Sequence, residues 1–155
     1  MQNQFIKKAC ELALQNVLTK KGGPFGAIVV KDDQIIATGV NSVSSLNDPT
    51  AHAEIVAIRN ACKALNNFQL TNCVIYSSCE PCPMCFGAIF WARPDAVYYA
   101  NTAFDAGIIG FDDAFIYEQL KIAPHKRTIP FIPLLESSAL DAFRAWKEQQ
   151  DKIRY

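Results

Sequence analysis

Neither sign of charge prevails in this 155-residue chain: fifteen Lys and Arg are matched by fifteen Asp and Glu, for a formal net charge of zero. Without a basic excess there is no electrostatic footprint for a phosphate backbone, so nucleic acid is not an expected partner. Long apolar runs are missing as well. Met1 to Lys21 alternates apolar residues with Gln, Lys and Glu and contains no apolar core resembling a signal peptide. No later segment approaches a membrane span. A cytoplasmic setting and no membrane partner are therefore expected, and the six cysteines are expected as thiols and ligands rather than disulfides. The length suits one domain, 1–155, that buries roughly two thirds of its unfolded surface and needs no metal or disulfide merely to fold.

What is present is a concentration of metal-binding chemistry. His52-Ala53-Glu54 is followed by Pro81-Cys82-Pro83-Met84-Cys85, three zinc-type ligands and one carboxylate poorly suited to be a fourth. Two thiolates and a neutral imidazole balance Zn²⁺ and leave one tetrahedral position for a water. Such a water ionises near neutral pH, and a Glu two residues from the His can move its protons. The H-x-E and P-C-x-x-C pair thus reads as a catalytic metal centre. Two other readings share these residues. Cys79, Cys82 and Cys85, with His52, have the ligand count of a closed structural Cys₃His site, although Cys79 falls at a strand end and the other two in the helix that follows. A redox C-x-x-C or a disulfide would leave the H-x-E unexplained. Cys10, Cys62 and Cys73 sit in apolar patterns and read as small core residues.

The elements around these motifs alternate. Phe5, Ala9, Leu12, Ala13 and Val17 recur at helical spacing until Gly22-Gly23. Phe25 to Val30 and Gln34 to Asn41, separated by Lys31-Asp32-Asp33, predict an antiparallel hairpin. Asp48-Pro49 can cap and start a second helix running to Leu65, with His52 and Glu54 in its opening turns. Cys73 to Ser78 predicts a strand, Pro81 or Pro83 starts a third helix through Trp91, and Ala96 to Ala100 predicts a strand parallel to the last, because a helix crosses between them. Helix N-termini then face the metal, where the positive dipole end favours thiolate and hydroxide. Residues two apart on a helix do not share a face, so convergence of His52 and Glu54 on one metal does not follow from periodicity. Leu140 to Lys152 predicts a last helix, and Pro130 and Pro133 make Ile129 to Leu134 better suited to an edge or an extended arm than to a central strand.

The chain resembles the cytidine deaminase superfamily and, within it, the bacterial guanine deaminases. The resemblance rests on Gly22-Gly23-Pro24-Phe25-Gly26-Ala27, Asn47 to Glu54, Ser78 to Cys85, Gly87-Ala88-Ile89, Trp91-Ala92-Arg93-Pro94, Gly110-Phe111-Asp112-Asp113 and Arg127-Thr128-Ile129-Pro130-Phe131, with Tyr155 at the end. It implies an α/β protein, a three-layer α/β/α fold with a five-stranded mixed sheet, and a homodimer whose C-terminal segments cross to the partner. It also implies one zinc ion per chain on His52, Cys82 and Cys85, Glu54 as proton shuttle, and Asp113 as a second carboxylate for the amino group and departing ammonia. Phe25, Asn41, Ala53, Trp91, Asp113 and Tyr155 would contact guanine. Taken alone, Asn41 equally suits a turn, Phe25 and Trp91 suit packing, and Asp112 or Asp113 suits a cap for the helix from Phe115.

The implied activity is hydrolysis of guanine to xanthine and ammonia. Cytosine, a triazine such as ammeline, or an adenosine in transfer RNA are alternative substrates, and a zinc-stabilised interaction domain is the non-catalytic alternative. Ile108-Ile109, more apolar than expected just before the aspartates, either tunes the pocket or packs the loop.

Overall fold

A computed structural model describes residues 2–111 and 113–154. The chain divides into two compact units, Met1–Ala114 and Phe115–Tyr155. The first contains α1 (Gln2–Leu18), β1 (Gly26–Lys31), β2 (Gln34–Val40), α2 (Val43–Leu46), α3 (Ala53–Leu65), β3 (Cys73–Cys79), α4 (Pro83–Ala92), β4 (Ala96–Asn101) and α5 (Ala103–Ile108). The sheet has the order β2-β1-β3-β4, with β1 antiparallel to both neighbours and β3 parallel to β4. The hairpin turns at Asp32 and Asp33, both at positive φ, which suits the strand twist and which Asp tolerates better than most residues.

Alternation along the strands builds two cores. Ile28 and Val30 of β1 and Tyr76 of β3 pack with Phe5 and Ala9 of α1. Ala27, Val29 and Ile75 face the other way and pack with Ala53, Ala57, Ile58 and Ala61 of α3 and Ile89 and Ala92 of α4. The three layers are therefore α1, the sheet, and α3 with α4. The same alternation turns Ser77 toward α3. The helix lies so close to β2 that a Cβ at Gly39 would stand 2.2 Å from the Ala53 carbonyl oxygen and 2.4 Å from the Ala57 nitrogen.

Two expectations change. The sheet has four strands among the described residues, not five. Residues 127–136 belong to no strand, and Pro130 and Pro133 have no N–H to give to a ladder. The second helix starts at Ala53 rather than at Asp48-Pro49, because Asp48 Oδ1 instead accepts from the Thr50 N–H (2.8 Å) and hydroxyl (2.7 Å), closing a turn that competes with the helix. Two short helices, α2 and α5, carry too few apolar repeats to have been predicted. The last of these is held by a capping box between Thr102 and Asp105.

The second unit holds the rest of α6 (Ala114–Lys121), a 3₁₀ turn (Pro124–Lys126) and α7 (Ala139–Glu148). Arg127 organises it: Nε donates to the Gln119 and Ile122 carbonyls at 3.0 and 3.2 Å, and the guanidinium stands 5.1 Å over the Phe131 ring. Leu140, Phe143 and Trp146 of α7 are exposed.

We expect Gly39→Ala to destabilise the fold by about 3 kcal/mol, since the added methyl meets helix backbone that cannot yield locally. Denaturant unfolding measures the loss, and zinc content of the purified variant should fall with it because α3 carries the residues after His52.

Candidate active site

Two helices begin at one place on the sheet. His52 is the N-cap of α3 and Cys82 the N-cap of α4, both with extended backbones and neither spending its side chain on a capping bond. An N-cap side chain leaves the chain in a direction different from that of the helical positions after it. That resolves how His52 and Glu54 converge: they are not two residues of one helix face, because His52 lies just outside the helix. Pro83 at the first position of α4 has no N–H to leave unpaired and sets the φ that starts the turn.

One ligand atom each from His52, Cys82 and Cys85 lies within 4.8 Å of the others. His52 Nδ1 and Cys82 Sγ are 3.5 Å apart. Cys85 is fully buried. One imidazole and two thiols at these separations suit a tetrahedral zinc site with a vacancy for a further ligand. Cys79 is not in the group. Its Sγ donates to the Thr102 carbonyl at 3.5 Å, and burial pushes its thiol up to about 11, so it behaves as a neutral structural thiol.

Glu54 lies against the trio. It is 5% exposed, and burial raises its pKa above the usual carboxylate range. The Ser77 hydroxyl donates to Oε1 at 2.9 Å and the Cys85 thiol to Oε2 at 3.4 Å. Ser77 went unnoticed in the sequence. The signal that could have found it was strand alternation, since Cys73, Ile75 and Ser77 share the face that meets α3.

Protons are distributed unevenly over the ligands. The Cys85 thiol beside it holds Cys82 down to about 4, and that pairing, with burial, pushes Cys85 well up. His52 is raised chiefly by its bond with Cys82, and the charge of Asp113 adds to this.

The proposed substrate contacts lie on several segments. Asn41, 7% exposed, follows β2 and accepts at Oδ1 from the N–H groups of Gly23 (3.3 Å) and Val43 (3.4 Å). Phe25 packs edge-on to Phe111, with ring centroids 4.9 Å apart. Phe111 is a second residue that the sequence reading did not single out. Ala53, fully buried, opens α3, and Asp113 is half-buried and electrostatically close to His52. Trp91 is 63% exposed, two residues past buried Ile89 and therefore on the other side of α4. Ile108 and Ile109 are exposed. Tyr155 and Asp112 lie outside the described residues.

A buried carboxylate beside an N,S,S metal trio at paired helix N-termini is the construction of a metal-assisted hydrolase. Residues 1–101 match the model of the cytidine and deoxycytidylate deaminase zinc-binding region, and the chain belongs to that family. It is 52% identical to the guanine deaminase of Bacillus subtilis over 97% of both chains. The crystal structure of guanine deaminase from Bacillus subtilis superposes with a TM-score of 0.98, covering 100% of this chain and 99% of that one. A tRNA-specific adenosine deaminase of Aquifex aeolicus is 35% identical over 90% of this chain and 91% of its own. A solved guanine deaminase from Nitrosomonas europaea is 34% identical, with a TM-score of 0.67 over 70% of this chain and 63% of that one.

Zinc capture should strengthen with pH. Cys82 is already ionised above about 4, whereas Cys85 must give up a tightly held proton, and His52 adds a second at lower pH. Competition with a chelator between pH 6 and 8 should show affinity rising about tenfold per pH unit or more, steepest toward pH 6 where His52 also gives up a proton. A flat profile would contradict this distribution of protons.

Proposed function

We propose that this protein is a zinc-dependent guanine deaminase, hydrolysing guanine to xanthine and ammonia in the cytoplasm. The observation that carries the reading is its correspondence, along nearly the whole length, with the guanine deaminase of Bacillus subtilis. The site chemistry is consistent with it. Zinc bound by His52, Cys82 and Cys85 supplies a Lewis acid that makes a water nucleophilic near neutral pH.

The chain's own residues then bind the base and move protons. Asn41 hydrogen-bonds the purine ring, Phe25 contacts its face, and Ala53 offers a first-turn N–H, a group that has no partner inside its own helix. With Oε1 held by Ser77, Glu54 presents Oε2 toward the reacting centre. Glu54 takes a proton as water adds to C2 and delivers it to ring N3. Transfer of the remaining C2 hydroxyl proton to the exocyclic amino group, through Glu54 or Asp113, breaks the C2–N bond, releases ammonia and leaves the C2 carbonyl of xanthine. The raised pKa of Glu54 suits it to hold a proton between these events.

The reading includes a homodimer in which the arm around Pro130 and Pro133 and the exposed helix α7 cross to the partner. Trp91 then lines a pocket that closes on dimerisation, and Tyr155 contacts the substrate of the partner. An adenosine in transfer RNA is the second reading, favoured by the Aquifex aeolicus relative; the zero net charge speaks for a small, uncharged substrate instead.

Ammonia release should be measured from guanine, cytosine, adenine and cytidine with zinc-replete protein. Guanine alone should react, and Glu54→Ala should keep its zinc while losing about a thousandfold or more in turnover. Release from another base alone would keep the mechanism and overturn the substrate. In light scattering, the full chain should be a dimer and a chain truncated before residue 127 should not. A dimer indifferent to truncation would remove the crossing.

A further inference from the structure

One buried polar side chain on α1 has no part in the chemistry above. Asn16 is 4% exposed, on a helix whose other buried residues are Phe5, Ala9 and Ala13. An amide in such surroundings costs stability unless its hydrogens find partners. Here Nδ2 donates twice, to the Gly23 carbonyl at 2.9 Å and to the Asn41 carbonyl at 2.8 Å. A single nitrogen thereby joins the loop before β1 to the end of β2.

The two joined segments are already in close contact. A Cβ at Gly22 would lie 2.0 Å from the Asn41 carbonyl oxygen, closer than any side chain tolerates. The Gly23 N–H reaches Asn41 Oδ1, the Asn41 N–H donates to the Phe25 carbonyl at 3.0 Å, and the Phe25 N–H donates to the Gly23 carbonyl at 2.9 Å. Phe25 and Asn41, proposed above as contacts to the base, thus belong to one hydrogen-bonded assembly. Its only side-chain donor is Asn16 among the bonds named here. Because Asn16 touches the backbone of Asn41, it can fix where the Asn41 amide points without meeting the substrate.

We propose that Asn16 is a positioning residue for base recognition, holding Asn41 and the Gly22–Phe25 loop in the arrangement that receives the purine, and acting through Asn41. The proposal rests on the guanine reading, in which Asn41 bonds the ring. An amide that merely stabilises α1 would, when removed, lower stability and leave binding of the base unchanged. An amide that aims Asn41 raises KM more than it lowers kcat, and does so only while the Asn41 side chain is present.

A double-mutant cycle on the full-length, zinc-loaded protein separates the two, using wild type, Asn16→Ala, Asn41→Ala and the double variant with guanine as substrate. Asn16→Ala should raise KM about tenfold, near the net worth of one hydrogen bond, with zinc content retained. In the Asn41→Ala background the same change should alter KM less than about twofold. Phe5→Leu, which loosens the same helix far from the loop, should lower the melting temperature without moving KM. If Asn16→Ala does not accumulate as folded protein, Asn16→Ser, which keeps one donor, should show a smaller rise in KM with the same dependence on Asn41. Multiplicative effects of the two substitutions, or an Asn16 variant that behaves like Phe5→Leu, would overturn the proposal while leaving guanine turnover intact. Wild type that releases no ammonia from guanine would overturn the substrate reading itself, and this proposal with it.

Discussion

The contact on which the rest depends is that between β2 and the first turns of α3. With Gly39 offering no Cβ and Ala53 and Ala57 offering only methyls, helix and strand backbones meet directly, at distances that leave room for nothing larger. Packing of this kind leaves the helix no freedom to slide. The place where α3 begins is therefore fixed relative to the sheet, and so are the N-cap His52 and the first-turn Glu54. The second ligand segment is set from the opposite direction: β3 ends at Cys79, the chain crosses Glu80 and Pro81, and Pro83 starts α4. Two rigid helix starts, each referred to the same sheet, bring an imidazole and two thiols into one group.

Placing ligands at caps has an electrostatic side. A helix N-terminus favours negative charge, and Cys82 is the member of the pair held ionised. Cys85, one turn further in and fully buried, keeps its proton and shares it with its neighbours. Among the described residues no buried side-chain nitrogen or oxygen is left without a hydrogen-bond partner. Glu54 is consistent with this. A carboxylate inside an apolar layer is tolerated because Ser77 donates to it and because burial favours its neutral form.

Much of this was legible in the residues. The spacing of His52, Glu54, Cys82 and Cys85 named the metal cluster, the Asp32-Asp33 turn between apolar runs named the hairpin, and the intervening helix required β3 and β4 to run parallel. Other features depended on competition that a linear pattern does not display. Asp48-Pro49 has the chemistry to start a helix and spends it on a local turn with Thr50. A fifth strand follows from the likeness, but none forms among the described residues, and Pro130 and Pro133 interrupt any ladder the 127–136 stretch could offer. The roles of Ser77, Phe111 and Asn16 were invisible because each is defined by what lies across the fold: a carboxylate, an aromatic edge and two carbonyls.

The bond from Ser77 to Glu54 also bears on which cations the centre can accept. Magnesium and calcium require several oxygen donors, and Glu54, the buried carboxylate that touches Cys85, has one oxygen already engaged by a hydroxyl. What remains is nitrogen and sulfur, a set that favours borderline and soft ions over hard ones. With that carboxylate turned to a hydroxyl, the centre acts as a chemical sieve, disfavouring the most plentiful divalent ions of a cell by the donors it withholds.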